Sequence, residues 1–355
     1  MKIAVVLALL LLALLLLIPA ASFVYEAGAP GACARCHEMA VPVDQWAGSA
    51  HRNVACAKCH GDALTTDAQF HMTNARRVLD HNLGKVAEQA HLRTSDVFAM
   101  VETCKSCHPQ EYATWAAGPH SVRYEPIFLD KRQNSERHLM DDCLRCHGMH
   151  YTGGIRDLVT PLDNQGPWSF RDAAMATKPA IPCLTCHTMH QSGAPLKGHV
   201  RRAVISRKEA VMTPSLALWD RRSNGPVPVS MLPLPAMHEG QRAVKMSPDP
   251  RQALCYQCHA PLADTQVHSG DDRTCIGVHE GLSCFACHDK HKMSTRVSCA
   301  ECHPRLSNCG RDVEKMDTTF FTKQSTHNIH FMKCLDCHPK GIPPRKTPQP
   351  LHAAG

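Results

Sequence analysis

A five-residue unit, Cys-x-x-Cys-His, recurs nine times in this 355-residue chain and takes up eighteen of its 20 cysteines. The first five copies are Cys33, Cys36 and His37; Cys56, Cys59 and His60; Cys104, Cys107 and His108; Cys143, Cys146 and His147; and Cys183, Cys186 and His187. The last four are Cys255, Cys258 and His259; Cys284, Cys287 and His288; Cys299, Cys302 and His303; and Cys334, Cys337 and His338. Two thiols at this spacing can add to the vinyl groups of one porphyrin while the adjacent imidazole reaches its iron, which is the attachment chemistry of c-type haem. The rival chemistries fit less well. Zinc ribbons pair two such knuckles per metal and give no reason for a His after every second Cys. Thioredoxin-like pairs sit once or twice in a βαβ frame, and a disulfide framework has no need of a fixed unit. The reading is nine haem c groups, each with its motif His as iron ligand.

Sixteen of the 25 His lie outside the motifs, whereas nine irons take at most nine distal ligands. Recurring offsets single out candidates. His51 and His120 each follow a Trp-Ala dipeptide (Trp46 and Trp115), His138 and His279 precede a motif, and His150, His190 and His291 stand in Cys-x-x-Cys-His-x-x-His. His327 and His330 lie about one helical turn apart before Cys334 and can face two haems or one. Met39, two residues after His37, is either packing or a thioether ligand that would raise the potential of the first haem. His71, His81, His91, His199, His238, His268 and His352 have no repeat behind them and read as structural or solvated. Two cysteines remain, Cys275 and Cys309: a disulfide between them is the default in an oxidising compartment, and a free ligand thiol is the alternative. No Cys-x-x-Cys-Lys variant marks a haem for substrate, so no catalytic residue is assigned.

The elements that position these groups are unusual. Only 5% of the chain is Phe, Trp or Tyr, so packed macrocycles are expected to supply the interior that aromatic side chains normally fill. The expected fold is mainly α with much irregular structure, a multihaem cytochrome c with a haem core and little or no sheet. Stretches free of Pro and Gly predict helices at Asp67–His81, Lys85–Glu102 and Asp312–Phe331, though the second begins beside Gly84. The net charge of +7 with 20% charged residues is too mixed for a nucleic-acid binder, and propionates would offset it.

Four regions follow from composition. Residues 1–25 form an apolar export segment, read either as a signal anchor spanning from Ile3 to Tyr25 or as a cleaved signal peptide. Residues 26–191 carry five motifs and residues 251–355 carry four. Between them, residues 192–250 hold eight Pro, and nine Lys and Arg against four acids. This stretch reads as an extended basic linker, serving either an acidic redox partner or the propionates of the same chain.

The N-terminal end, Cys33-Ala-Arg-Cys-His-Glu-Met39 with Trp46-x4-His51 and Cys56-Ala-Lys-Cys-His60 after one apolar helix, resembles the NapC/NirT family of membrane-anchored quinol-oxidising cytochromes. His327-x-x-His330-x3-Cys334-Leu-Asp-Cys-His338 is similar to the last haem site of that family. The likeness covers under a quarter of the chain, and the nine motifs depart from the usual four. The middle, with Tyr112, Trp115 and His120, resembles the wider multihaem class that includes octahaem reductases. The resemblance implies quinol oxidation at the periplasmic side of the cytoplasmic membrane, electrons passing along the haems to a periplasmic or outer-membrane redox partner. Two alternatives stand beside it: a soluble periplasmic or extracellular conduit with a cleaved leader, filament-forming or otherwise homo-oligomeric, and a reductase of nitrogen or sulfur oxyanions.

Overall fold

A computed structural model describes residues 2–62, 66, 68–85, 92–190, 215–259, 279–288, 291 and 339–341. The eighth motif (Cys299, Cys302 and His303) and the ninth (Cys334, Cys337 and His338) lie outside these residues. So do His327, His330, Cys275, Cys309 and the predicted helix Asp312–Phe331, together with His91, His199, His268 and His352. The chain forms two compact units. The first comprises residues 1–112, 123–196 and 213–226, and the second residues 113–122, 197–212 and 227–355.

The first unit opens with α1 (Lys2–Ala27). Its span Ile3–Ala21 has a mean hydropathy of 3.2, contains no buried residue and is long enough to cross a bilayer. Short helices follow: α2 (His37–Ala47), α3 (Ala57–His60), α4 (Ala68–Asn82) and α5 (Thr94–Cys107). Asp96 fixes the start of α5, because its carboxylate accepts from the Arg93 backbone N–H at 3.3 Å and from the Arg93 guanidinium at 2.6 Å. The apolar side of α5 then builds the core of this unit: Val97, Phe98, Met100 and Val101 are buried with Tyr124, Phe128, Leu144, Ile155 and Leu158. Phe98 meets Tyr124 edge to face at 6.2 Å and Tyr124 stacks on Phe128 at 5.5 Å.

Sheet is confined to two-stranded ladders among the described residues. In the first unit β1 (Val159–Thr160) pairs antiparallel with β2 (Ser169–Phe170). Strand β3 (Ala217–Asp220) lies beside the fifth motif, Ala217 N–H donating to Cys186 C=O at 3.1 Å and Thr188 N–H to Ser215 C=O at 2.8 Å. Residues 215–250, part of the stretch read as an extended linker, thus contain regular structure and buried Ala217, Leu218, Val229, Met237 and Val244.

In the second unit β5 (His238–Glu239) and β6 (Arg242–Ala243) form a hairpin, β4 (Gly225–Pro228) being the strand at which the chain passes between units. Tyr256 of helix Gln252–His259 packs with Met237 and Val244. A buried polar clamp joins the sixth and seventh motifs: Asp249 pairs with Arg251 at 2.8 Å and accepts from Ser283 Oγ at 2.7 Å, while Gln252 Oε1 accepts from Cys284 N–H at 3.2 Å. Arg251 also lies over the Phe285 ring at 4.5 Å.

Candidate haem centres

Five of the described motifs close into one tight turn sealed at the motif His. Its backbone N–H donates to the carbonyl of the first Cys at 2.9 Å for His60, 2.8 Å for His108, 3.0 Å for His147, 3.1 Å for His187 and 2.8 Å for His288. The second Cys of a motif turns back in the same way. Cys59, Cys186 and Cys287 donate to the carbonyls of Cys56, Cys183 and Cys284 at 3.1, 3.2 and 3.2 Å, and Cys146, at the end of the turn Asp141–Arg145, donates to Cys143. Residues three and four apart on such a turn share a face. Both thiols and the imidazole are thereby presented on one side, the arrangement that one macrocycle needs. None of the fourteen described motif cysteines, Cys146 and Cys287 included, is in a disulfide. Among the described residues the sole convergent set of three metal-ligating groups is Cys36, Glu38 and His81, so no four-sulfur zinc site is built there from two motifs. The equivalent groups of the last two motifs, Cys302 and His303, and Cys337 and His338, fall outside the described residues and remain sequence expectations.

Three motif imidazoles face a second imidazole. The rings of His108 and His51 are 6.2 Å apart, those of His60 and His190 5.8 Å, and those of His259 and His120 6.1 Å. Two imidazoles on opposite sides of one metal, with bonds of roughly 2.0–2.1 Å, have ring centres about 6 Å apart. The spacing fits an iron held between them. Burial lowers His51 and His60 and takes His190 down to about 4; desolvation, then His259, His291 and His288, take His120 down to about 4, although His120 is an exposed residue. A neutral imidazole is the form that ligates metal.

The first motif differs. His81, which no sequence repeat singled out, stands 5.3 Å from His37, and its Nδ1 donates to Glu38 Oε1 at 2.8 Å. The same carboxylate oxygen lies 3.5 Å from His37 Nε2. The hydrogen bond from His81 is the main cause holding the Glu38 carboxyl below its usual range. Met39 sits half-buried in α2 beside this cluster. The sequence signal for His81 was its place at the end of the predicted helix Asp67–His81; nothing in the spacing tied it to His37.

Of the remaining candidates, His150 is buried with neither ring nitrogen hydrogen-bonded and stacks on Trp219 at 4.7 Å. Burial lowers it to about 4. His138 is exposed before the turn Asp141–Arg145, whereas His279 and His291 are half-buried in the second unit, His291 near enough to His120 to help lower it. Trp219, Glu38 and the Asp249–Arg251–Ser283 clamp were not singled out by their spacing.

The motifs also approach one another through their thiols. Cys104 of the third motif and Cys183 of the fifth lie close enough to shift each other, Cys104 upward and Cys183 downward, and Cys284 of the seventh and Cys255 of the sixth do the same. Burial, then Cys56, raises the Cys33 thiol, and burial, then Cys104, raises Cys59. The attachment points of these groups are therefore neighbours.

A family model described as outer membrane cytochrome MtrC/MtrF-like, domains II/IV, matches residues 29–200, just under half of the chain. The chain is a multihaem cytochrome of the c type. That matched segment contains the first five motifs of the cytochrome and two of its three facing imidazole pairs. No curated protein and no solved structure matches it. The residues present fit c-type haem: thiol pairs for covalent attachment, and facing imidazoles for the iron. Bound haem supplies an iron that cycles between ferric and ferrous states. The polypeptide fixes where each group would sit, lowers His51, His60, His120 and His190 towards the neutral form and brings attachment thiols of different groups together.

Proposed function

We propose that this cytochrome is a nine-haem electron conduit that takes electrons from membrane quinol near its first motif and delivers them to a redox partner towards the outer membrane. The observation that carries the reading is the pairing of motif imidazoles with second imidazoles about 6 Å away, joined to the contact between thiols of different motifs. Irons with an imidazole on both faces have no free position for substrate, and adjacent attachment points favour electron hopping over bond chemistry. This weighs against an oxyanion reductase at the three paired centres.

The membrane end of the proposal rests on α1. Its apolar span Ile3–Ala21 ends 12 residues before Cys33, so retention of α1 would hold the first haem near the bilayer surface on the periplasmic side. The far end rests on the family description, whose printed name places its members at the outer membrane; that favours an acceptor beyond the cytoplasmic membrane. Stopped-flow mixing of the oxidised protein in vesicles with a reduced quinol analogue tests the proposal. Haem reduction that is lost when residues 2–27 are exchanged for a cleavable export signal, the haem content being unchanged, is the expected result. Quinol that reduces no haem sinks the quinol role and favours the conduit with a cleaved leader, which a soluble reductant would still fill with electrons.

A further inference from the structure

We infer that the axial ligands are interleaved along the chain, His51 serving the third haem, His190 the second and His120 the sixth, so that each iron takes its distal imidazole from a segment that follows a different motif. The inference rests on the haem reading above and adds which residue serves which iron. Proximity in sequence assigns otherwise. His51 lies five residues before the second motif, and His120 and His190 follow the third and fifth. The ring distances instead join His51 to His108, His190 to His60 and His120 to His259.

Local structure fixes each donor in place. Trp46 Nε1 donates to Val54 C=O at 3.2 Å, and Ser49 Oγ donates to Trp46 C=O at 2.8 Å while accepting from His51 N–H at 3.0 Å. This turn aims His51. His190 follows a motif whose backbone is pinned to residues 215–217 by the two hydrogen bonds already described. His120 lies in the turn Pro119–Ser121, where Ser121 Oγ donates to the carbonyls of Ala116 at 2.9 Å and Gly118 at 2.8 Å. Residues 113–122 belong to the second unit, together with the helix that carries His259. The stretch between the third and fourth motifs thus completes the sixth haem. The Trp-Ala-x-x-x-His repeat becomes a device for handing an imidazole to another motif.

The test is a set of variants of the full-length holoprotein. A thioether in place of imidazole raises the potential of its haem, so His120→Met should shift the reduction equilibrium of one haem at least tenfold, about 59 mV, and add the charge-transfer absorption of thioether-ligated ferric iron. Both changes should vanish when the sixth attachment is removed by Cys255→Ala with Cys258→Ala. They should persist when the third is removed by Cys104→Ala with Cys107→Ala. A change that survives loss of the sixth haem, one that disappears with the third, or no change at all overturns the assignment. If His120→Met fails to mature, His51→Met decides, its signature being expected to depend on the third haem and not on the second. Intact mass and the low-spin spectrum of the wild type, taken on the same preparations, separate a failure of the haem reading from a failure of this ligand map.

Discussion

Asp249 shows how single residues hold the haem-bearing turns in register. Burial, the largest single influence on it, raises its carboxyl, but the hydrogen bonds from Arg251 and Ser283 and the charge of Arg251 together outweigh this and leave it lowered from 3.8. A carboxyl whose folded pKa is depressed stabilises the protein above its unfolded value and loses that contribution as pH falls through the lowered folded value. Acid unfolding of the holoprotein should therefore steepen below pH 3.8, and Asp249→Asn should remove that part of the slope. The same variant takes from buried Arg251 the carboxylate charge that it pairs with, which costs about 3–5 kcal/mol; chemical denaturation at neutral pH reads this directly, and an unchanged midpoint would contradict the clamp. At the paired centres, His190→Ala should leave one ferric haem five-coordinate and high-spin. Magnetic circular dichroism counts it against the low-spin remainder.

The elements repeat the same lesson at the next scale, since the turn after the fourth motif depends on one glycine. Gly148 has φ +104°, and a Cβ there would lie 2.8 Å from the buried Tyr124 hydroxyl. Gly148→Ala should cost about 1–3 kcal/mol in backbone strain alone and more through displacement of Tyr124. Gly240→Ala, with φ +62° and no atom within 4 Å, carries only the backbone part, about 1–2 kcal/mol. Thermal unfolding of the two variants should rank them in that order. The helix Ala68–Asn82 was legible from a Pro- and Gly-free stretch, and its bounds lie one residue from Asp67–His81. The start of α5 at Thr94 was not, because the Arg93–Asp96 cap that sets it lies inside a stretch of uniform helix propensity. Short ladders such as β1–β2, two residues per strand, leave no alternation to read. Residues 215–250 carry their Pro at turns and strand ends, where Pro is tolerated, so Pro content signalled extension where packing also operates.

For the whole molecule, the motifs made the cofactor class legible because covalent attachment demands fixed residue types at fixed spacing. The distal side has no such rule: an imidazole can arrive from any segment that the fold brings near, which is why His81 read as structural or solvated and why the partners of His51, His120 and His190 required coordinates. The thin aromatic content belongs to the same scale, for on the proposed nine-haem reading macrocycles would take up interior that ring side chains otherwise fill. Exchanging residues 2–27 for a cleavable export signal should move the protein from the vesicle-bound to the soluble fraction in a flotation assay without changing its haem content, as α1 contributes no motif. The most direct test of the central claim is the denatured intact mass of protein purified from its native host, because thioether-linked haems survive unfolding. The account predicts the polypeptide plus nine haem groups, with residues 1–25 retained. A mass lacking haem, or carrying fewer than nine, would contradict it.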